Sequence, residues 1–217
     1  MTAAMPSPAS PGLRTALAAC PLIAILRGLT PAEAPAIGAA LVGAGFTVLE
    51  VPLNSPRPID SIRQLATAHP AALVGAGTVM TTAEVDQVAA AGGQLIVMPH
   101  ADLAVVRHAR ARGLACAPGV ATPTEGFAAL AAGADALKLF PGEMLTPAVL
   151  KALRAVFPRD VLMIPVGGVS EATMPAYWAA GADGFGIGSA LYKPGATAAD
   201  VARRAGALVD AARALRR

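Results

Sequence analysis

From residue 22 onward the chain repeats one unit: a short apolar run, a turn, and an Ala-rich amphipathic stretch. Apolar runs at 22–27, 46–53, 72–76, 94–98, 114–117, 135–140, 161–166 and 184–187 have the length and branched content of buried strands. Helical patterns fill the intervals near 31–43, 57–68, 82–91, 101–112, 123–132, 147–156, 171–180 and 197–214. Strands that alternate with helices must pair in parallel, because each helix carries the chain back across the sheet. Eight such units predict a single closed (β/α)8 TIM barrel spanning residues 19–217, with short loops and no second domain. An open doubly wound sheet is the alternative, but no GxGxxG turn follows the first strand.

The helix boundaries carry their own chemistry. Thr30-Pro31-Ala32-Glu33 and Thr122-Pro123-Thr124-Glu125 each combine a capping threonine, a proline in the first turn and a capping-box glutamate. Thr146-Pro147 and Thr81 through Glu84 are partial versions, and Gly45, Gly92, Gly113, Gly133 and Gly181 end helices before the next strand. Residues 1–18 are rich in Pro, Ala and Ser, and read as a loose N-terminal segment. They lack the basic start and apolar core of a secretion signal, and no later run is long enough to span a bilayer, so a cytoplasmic protein is expected.

Composition narrows the function classes. Hydrophobic residues make up 55% and charged residues 14% of the 217, which excludes disorder and leaves a surface poor in charge, suited to a buried subunit contact. Net charge is +3, and Arg203, Arg204, Arg213, Arg216 and Arg217 gather in the last segment, as solvated residues of a terminal helix. No aromatic residues interleave with them, which argues against nucleic acid. Cys20 and Cys116 belong to no ligand cluster, and His69, His100 and His108 never fall at metal-binding spacing, so no metal or cofactor is expected. His69 and His108 read as helix-surface residues, and His100 as a loop residue after a strand.

Chemistry enters through charges on strands that are otherwise apolar. Lys138 sits in Asp135-Ala136-Leu137-Lys138-Leu139-Phe140, where alternation puts Ala136, Lys138 and Phe140 on one face. A buried ammonium loses hydration, so its pKa falls and the amine becomes a nucleophile suited to Schiff-base chemistry on a carbonyl. A lysine at a strand end that snorkels to water is the competing reading. Barrel chemistry collects at the C-terminal ends of strands. That end receives Arg27 from the first strand, Glu50 from the second, Thr78 after the third and Lys138 from the sixth. The alternation groups Ile23, Ile25 and Arg27; Val48, Glu50 and Pro52; and Val74, Ala76 and Thr78, and each set is expected to point inward. Two glycine turns, Gly167-Gly168-Val169-Ser170 and Gly186-Ile187-Gly188-Ser189, follow the seventh and eighth strands, where such barrels bind phosphate.

These segments resemble the class I aldolases of the KDPG/KDPGal family, which cleave 2-keto-3-deoxy-6-phospho-sugar acids. The matching pieces are Ile23-Ala24-Ile25-Leu26-Arg27-Gly28, Glu50-Val51-Pro52-Leu53-Asn54-Ser55-Pro56, Gly75-Ala76-Gly77-Thr78-Val79, Leu137-Lys138-Leu139-Phe140-Pro141 and Val166-Gly167-Gly168-Val169. The resemblance implies a metal-free trimer in which Lys138 forms the Schiff base and Glu50 is the general acid/base. It further implies that Arg27 holds a substrate anion and Thr78 the pyruvyl end. Gly168, Gly188 and Ser189 are expected to hold the phosphate, with Phe140 and Pro99 as walls. Gluconate-type members carry Thr-Leu-Arg and Thr-Gly-Gly where this chain has Pro52-Leu53-Asn54 and Val166-Gly167-Gly168, and the latter resembles the galactonate type. The expected partners are therefore a phosphorylated keto-deoxy sugar acid, pyruvate and glyceraldehyde 3-phosphate. The rivals are the gluconate-type aldolase, a phosphate-binding barrel isomerase, which needs no strand lysine, and a non-catalytic sugar-phosphate binder.

Overall fold

A computed structural model describes residues 11–216. A curled parallel sheet carries helices on its outer face, in a TIM-like mixed α/β arrangement. After helix α1 (Pro11–Ala19), the order runs β1 (Leu22–Ile25), α2 (Ala34–Ala44), β2 (Val48–Pro52), α3 (Pro58–Ala68), β3 (Leu73–Gly77), α4 (Thr82–Ala90), β4 (Leu95–Val97) and α5 (Leu103–Ala111). It continues β5 (Ala115–Ala117), β6 (Gly119–Val120), α6 (Pro123–Ala131), β7 (Ala136–Leu139), α7 (Pro147–Arg154), β8 (Leu162–Pro165), α8 (Met174–Ala179), β9 (Phe185–Ile187) and α9 (Ala198–Ala214).

The ladders differ from the expected closed ring. Six strands pair in the order β5-β4-β3-β2-β1-β9, and a separate three-stranded ladder runs β6-β7-β8. The fifth expected strand, 114–117, is β5; β6 is an additional short strand beyond Pro118, which has no N–H to donate and interrupts the ladder. Across that seam Asp135 N–H donates to the Cys116 carbonyl and Lys138 N–H to the Pro118 carbonyl, each at 2.9 Å. At the other seam Val166 forms a parallel bridge with Gly186.

Two cores follow from the strand alternation. One set of side chains, among them Leu49, Val51, Val74, Ala76, Leu137 and Leu139, packs outward beneath the helices. The other, including Ile23, Ile25, Val48, Leu73, Leu95, Ala136, Ile164 and Val166, fills the interior. The faces of β1, β2 and β7 are as expected, but that of β3 is reversed. Val74 and Ala76 face the helices, and the inward positions are Leu73, Gly75 and Gly77. Glycine is required there by close approach. A Cβ at Gly75 would stand 2.0 Å from the Leu95 carbonyl oxygen, and one at Gly77 1.9 Å from Glu50 Oε2.

The segment read as loose over 1–18 is helical from Pro11; residues 1–10 lie outside the described residues. Leu13 and Leu17, one turn apart, are buried in the interior core at the N-terminal end of the strands. Burial of each contributes about 1.5–3 kcal/mol, enough to order a helix of this length only because it docks. Arg216, exposed as expected, also satisfies the end of α1, donating to the carbonyls of Leu17 and Ala18 at 2.7 and 2.6 Å. Complete capping boxes form at Thr81/Glu84 and Thr122/Glu125. Thr146 makes no side-chain cap, and at Thr30 only the half in which Glu33 accepts is present. Among the described residues, no helix is long and apolar enough to cross a membrane.

Candidate active site

Among the described residues, Glu50 and Lys138 are the two charged groups inside the curled sheet. Glu50 lies on β2 and is 2% exposed; Lys138 lies on β7 and is 8% exposed. Both line one small cavity with Ile23, Ile25, Val97, Ala117, Ile164, Val166 and Gly186, about 10 Å³ in volume, the size that accepts a single water. Glu50 Oε2 is buried without a hydrogen-bond partner. Such an orphan in native protein calls for a bound proton, water or ligand group. The Lys138 ammonium sits 4.6 Å from the centroid of the Phe140 ring, and the Phe140–Pro141 peptide is cis.

The electrostatics follow from burial. Desolvation pushes the Glu50 carboxyl up to about 7, against the opposing pull of Lys138 and Arg27. Desolvation lowers the Lys138 ammonium; Glu50 opposes that shift and Arg27 adds to it. Each group is moved toward the neutral form, so a free amine and a proton-carrying carboxyl coexist nearer to neutrality than either side chain allows in water.

The small cavity adjoins a larger one of about 800 Å³, because Ile25, Val166 and Gly186 line both. Its wall includes Arg27, Phe140, Gly168, Gly188 and Ser189 from the expected set. Gly167 and Gly168 have φ of 110° and 62°, a left-handed turn that glycine permits. Beyond Gly188 the Leu191 and Tyr192 N–H groups bond back to its carbonyl, and Gly188, Ser189 and Ala190 of this turn line the cavity. Arg27 Nη1 donates to Asn54 Oδ1 at 2.8 Å, and Gly28 N–H to Ser55 Oγ at 2.9 Å.

Thr78 and Pro99 line neither cavity. Thr78 follows β3 with φ 57°, an outlying conformation for a β-branched residue of the kind that clusters at functional sites. Pro99 stands behind Gly119, which pairs in register with Lys138; a Cβ at Gly119 would lie 2.4 Å from the Pro99 carbonyl oxygen. His100 is exposed, and His108 pairs with Asp86 across α4 and α5. His69, read as a surface residue, instead has its Nε2 buried beside Gly38.

Ser170, from the first glycine turn, lines the larger cavity, and so do Glu143 and Lys193, which sequence alone gave no reason to select. The Glu143 carboxylate rests against the glycine turn: a Cβ on Gly167 would meet its Oε2 at 2.5 Å. All three sit in irregular segments, where no periodicity reports which way a side chain faces.

A family model described as KDPG and KHG aldolase matches residues 13–208. The chain belongs to this aldolase family. Among curated relatives, the probable 2-dehydro-3-deoxy-6-phosphogalactonate aldolase of Rhizobium meliloti (strain 1021) is 52% identical over 186 residues, 85% of this chain and 88% of that protein. The 2-dehydro-3-deoxy-6-phosphogalactonate aldolase of Escherichia coli (strain K12) is 46% identical over 194 residues, 89% of this chain and 95% of the relative. A solved structure described as native KDPGal superposes with a TM-score of 0.88 at 46% identity, covering 90% of this chain and 95% of its own. The aldolase is thus a carbon–carbon lyase.

Proposed function

We propose that this aldolase cleaves 2-dehydro-3-deoxy-6-phospho-D-galactonate to pyruvate and D-glyceraldehyde 3-phosphate through a Schiff base on Lys138. The observation that carries the reading is the shared cavity of Lys138 and Glu50, opening into a larger pocket with two glycine turns. The free amine adds to the C2 carbonyl, and loss of water from the carbinolamine leaves a protonated imine. Glu50, as carboxylate, removes the C4 hydroxyl proton; the C3–C4 pair flows into the imine, releasing the aldehyde and leaving an enamine. Protonation at C3 and addition of water return pyruvate and the amine.

In this reading Arg27 holds a substrate anion and Thr78 the pyruvyl end, while Phe140 and Pro99 bound the ketoacid. Gly168, Gly188 and Ser189 hold the phosphate with backbone N–H groups and a hydroxyl, as anion sites at turn N-termini do. In this reading no step is assigned to a metal. The eight expected strands are inferred to close into a barrel through the Cys116–Asp135 and Val166–Gly186 contacts. A homotrimer accounts for Phe127, Met144 and Val156, large apolar side chains left exposed on one chain. A phosphorylated sugar acid is a cytoplasmic metabolite, and the aldolase is placed there with it.

The gluconate epimer is the second reading, and Val166 weighs against it. A side chain with a hydroxyl at this position hydrogen-bonds a substrate hydroxyl and rejects the epimer lacking it; a methyl-lined position discriminates by only about 1–3 kcal/mol. The test is kcat/KM on both epimers. The galactonate epimer is expected to be preferred with measurable turnover of the other, and Val166→Thr to move the ratio toward the gluconate epimer. Preference of the parent enzyme for the gluconate epimer overturns the substrate assignment.

A further inference from the structure

Two adjacent side chains after β2 grip two adjacent residues after β1. Asn54 Oδ1 accepts from Arg27 Nη1 at 2.8 Å, and Ser55 Oγ accepts from the Gly28 N–H at 2.9 Å. Ser55 is itself buried, and its N–H closes a turn onto the Pro52 carbonyl at 2.9 Å, so the clamp is anchored to the end of β2. Beneath it Leu26 N–H donates to the Glu50 carbonyl at 3.0 Å, which ties the clamp to the backbone of the buried carboxylate. An arginine has five N–H donors on a long flexible stem, and one bond to a fixed acceptor selects a narrow set of rotamers while leaving the other donors available. Arg27 lines the larger cavity beside Phe140, whose ring touches the Lys138 ammonium.

We infer that Asn54 is a positioning residue, whose amide oxygen aims the Arg27 guanidinium at the carboxylate of the ketoacid bound to Lys138. The inference rests on the Schiff-base reading above and deepens it by assigning the carboxylate contact. The geometry has a chemical reason. In an imine of a 2-ketoacid the C1 carboxylate is one bond from the carbon attached to Nζ, so its counter-charge must come from a group at the rim of the Lys138 cavity. Two cations, Arg27 and Lys193, line the adjoining cavity, and Arg27 is the one that follows β1, whose Ile25 also lines the Lys138 cavity. The neutral Asn54 oxygen accepts from the guanidinium and holds it in place.

Pyruvate separates this role from phosphate binding, because it carries the carboxylate and no phosphate. The measurement is the pyruvate concentration that gives half-maximal borohydride trapping on the intact protein, together with the limiting rate of trapping. Asn54→Ala is expected to raise the half-saturating concentration roughly tenfold, the scale of a mispositioned charge-assisted hydrogen bond, with the limiting rate within about twofold of parent. In an Arg27→Ala background the same Asn54→Ala change is expected to do nothing further, since its route of action is gone. Both side chains are exposed, so neither variant disturbs the core. An unchanged half-saturation in Asn54→Ala, an equal effect in both backgrounds, or a rise seen with the phosphorylated substrate but not with pyruvate overturns the inference. Failure of the parent protein to trap pyruvate at Lys138 overturns the Schiff-base reading itself, and is a separate result.

Discussion

Glu50 shows at the scale of a single residue how function works against stability. Its carboxyl is raised to about 7 by burial, against 4.5 for the unperturbed group, so the folded state holds a proton that the unfolded chain releases earlier. Stability linked to this group is therefore full below pH 4.5 and falls as pH rises toward 7, by a total on the order of 3 kcal/mol. Glu50→Gln removes the titration. Its melting temperature is expected to gain on that of the parent between pH 5 and pH 8, while its turnover falls by about 10²–10⁴-fold. Melting curves that keep a constant separation across this range, or a rate within a few-fold of parent, contradict that assignment. Glu50 and Lys138 were legible in the sequence because each is a lone charge in an apolar strand, and alternation placed them on the inward face. Val74 and Ala76 were misplaced by the same rule, because Gly75 and Gly77 give no side chain from which to read a face. Lys193 and Glu143 were illegible, since their loops reach the cavity through tertiary contacts.

At the scale of elements, the strand–helix alternation was readable because each unit carries its own caps and terminators. Every expected strand is present, and the short β6 beyond Pro118 was not expected, since the apolar pattern does not extend that far. Helix α1 was missed: nine residues with only Leu13 and Leu17 as large apolar groups form no convincing stripe, and the helix depends on the interior it plugs. Leu17→Ala should lower stability by about 2–5 kcal/mol in chemical denaturation, while the pyruvate-trapping yield of the folded fraction stays at the parent level. A loss below about 1 kcal/mol contradicts the plug. The β3 glycines make the opposite prediction. In Gly77→Ala the new methyl would fall 1.9 Å from Glu50 Oε2, so the carboxylate must move. Turnover should drop at least as far as in Glu50→Gln, with the fold retained by circular dichroism, and near-parental turnover would mean that Glu50 is not held against this strand.

For the whole molecule, the sheet places a basic and glycine-rich pocket beside a small buried chamber, so that one end of a substrate is held while the other meets the amine. Nothing in this division of labour uses a metal, and activity is expected to be unchanged after prolonged dialysis against EDTA; loss restored by a divalent ion contradicts the mechanism. The central claim is that Lys138 becomes covalently joined to the ketoacid. Incubation with pyruvate and borohydride, followed by peptide mass spectrometry, tests it directly. The account predicts one reduced pyruvyl adduct on the peptide carrying Lys138, absent from an inactive Lys138→Ala variant. An active enzyme that leaves Lys138 unmodified, or an adduct on another lysine, contradicts it.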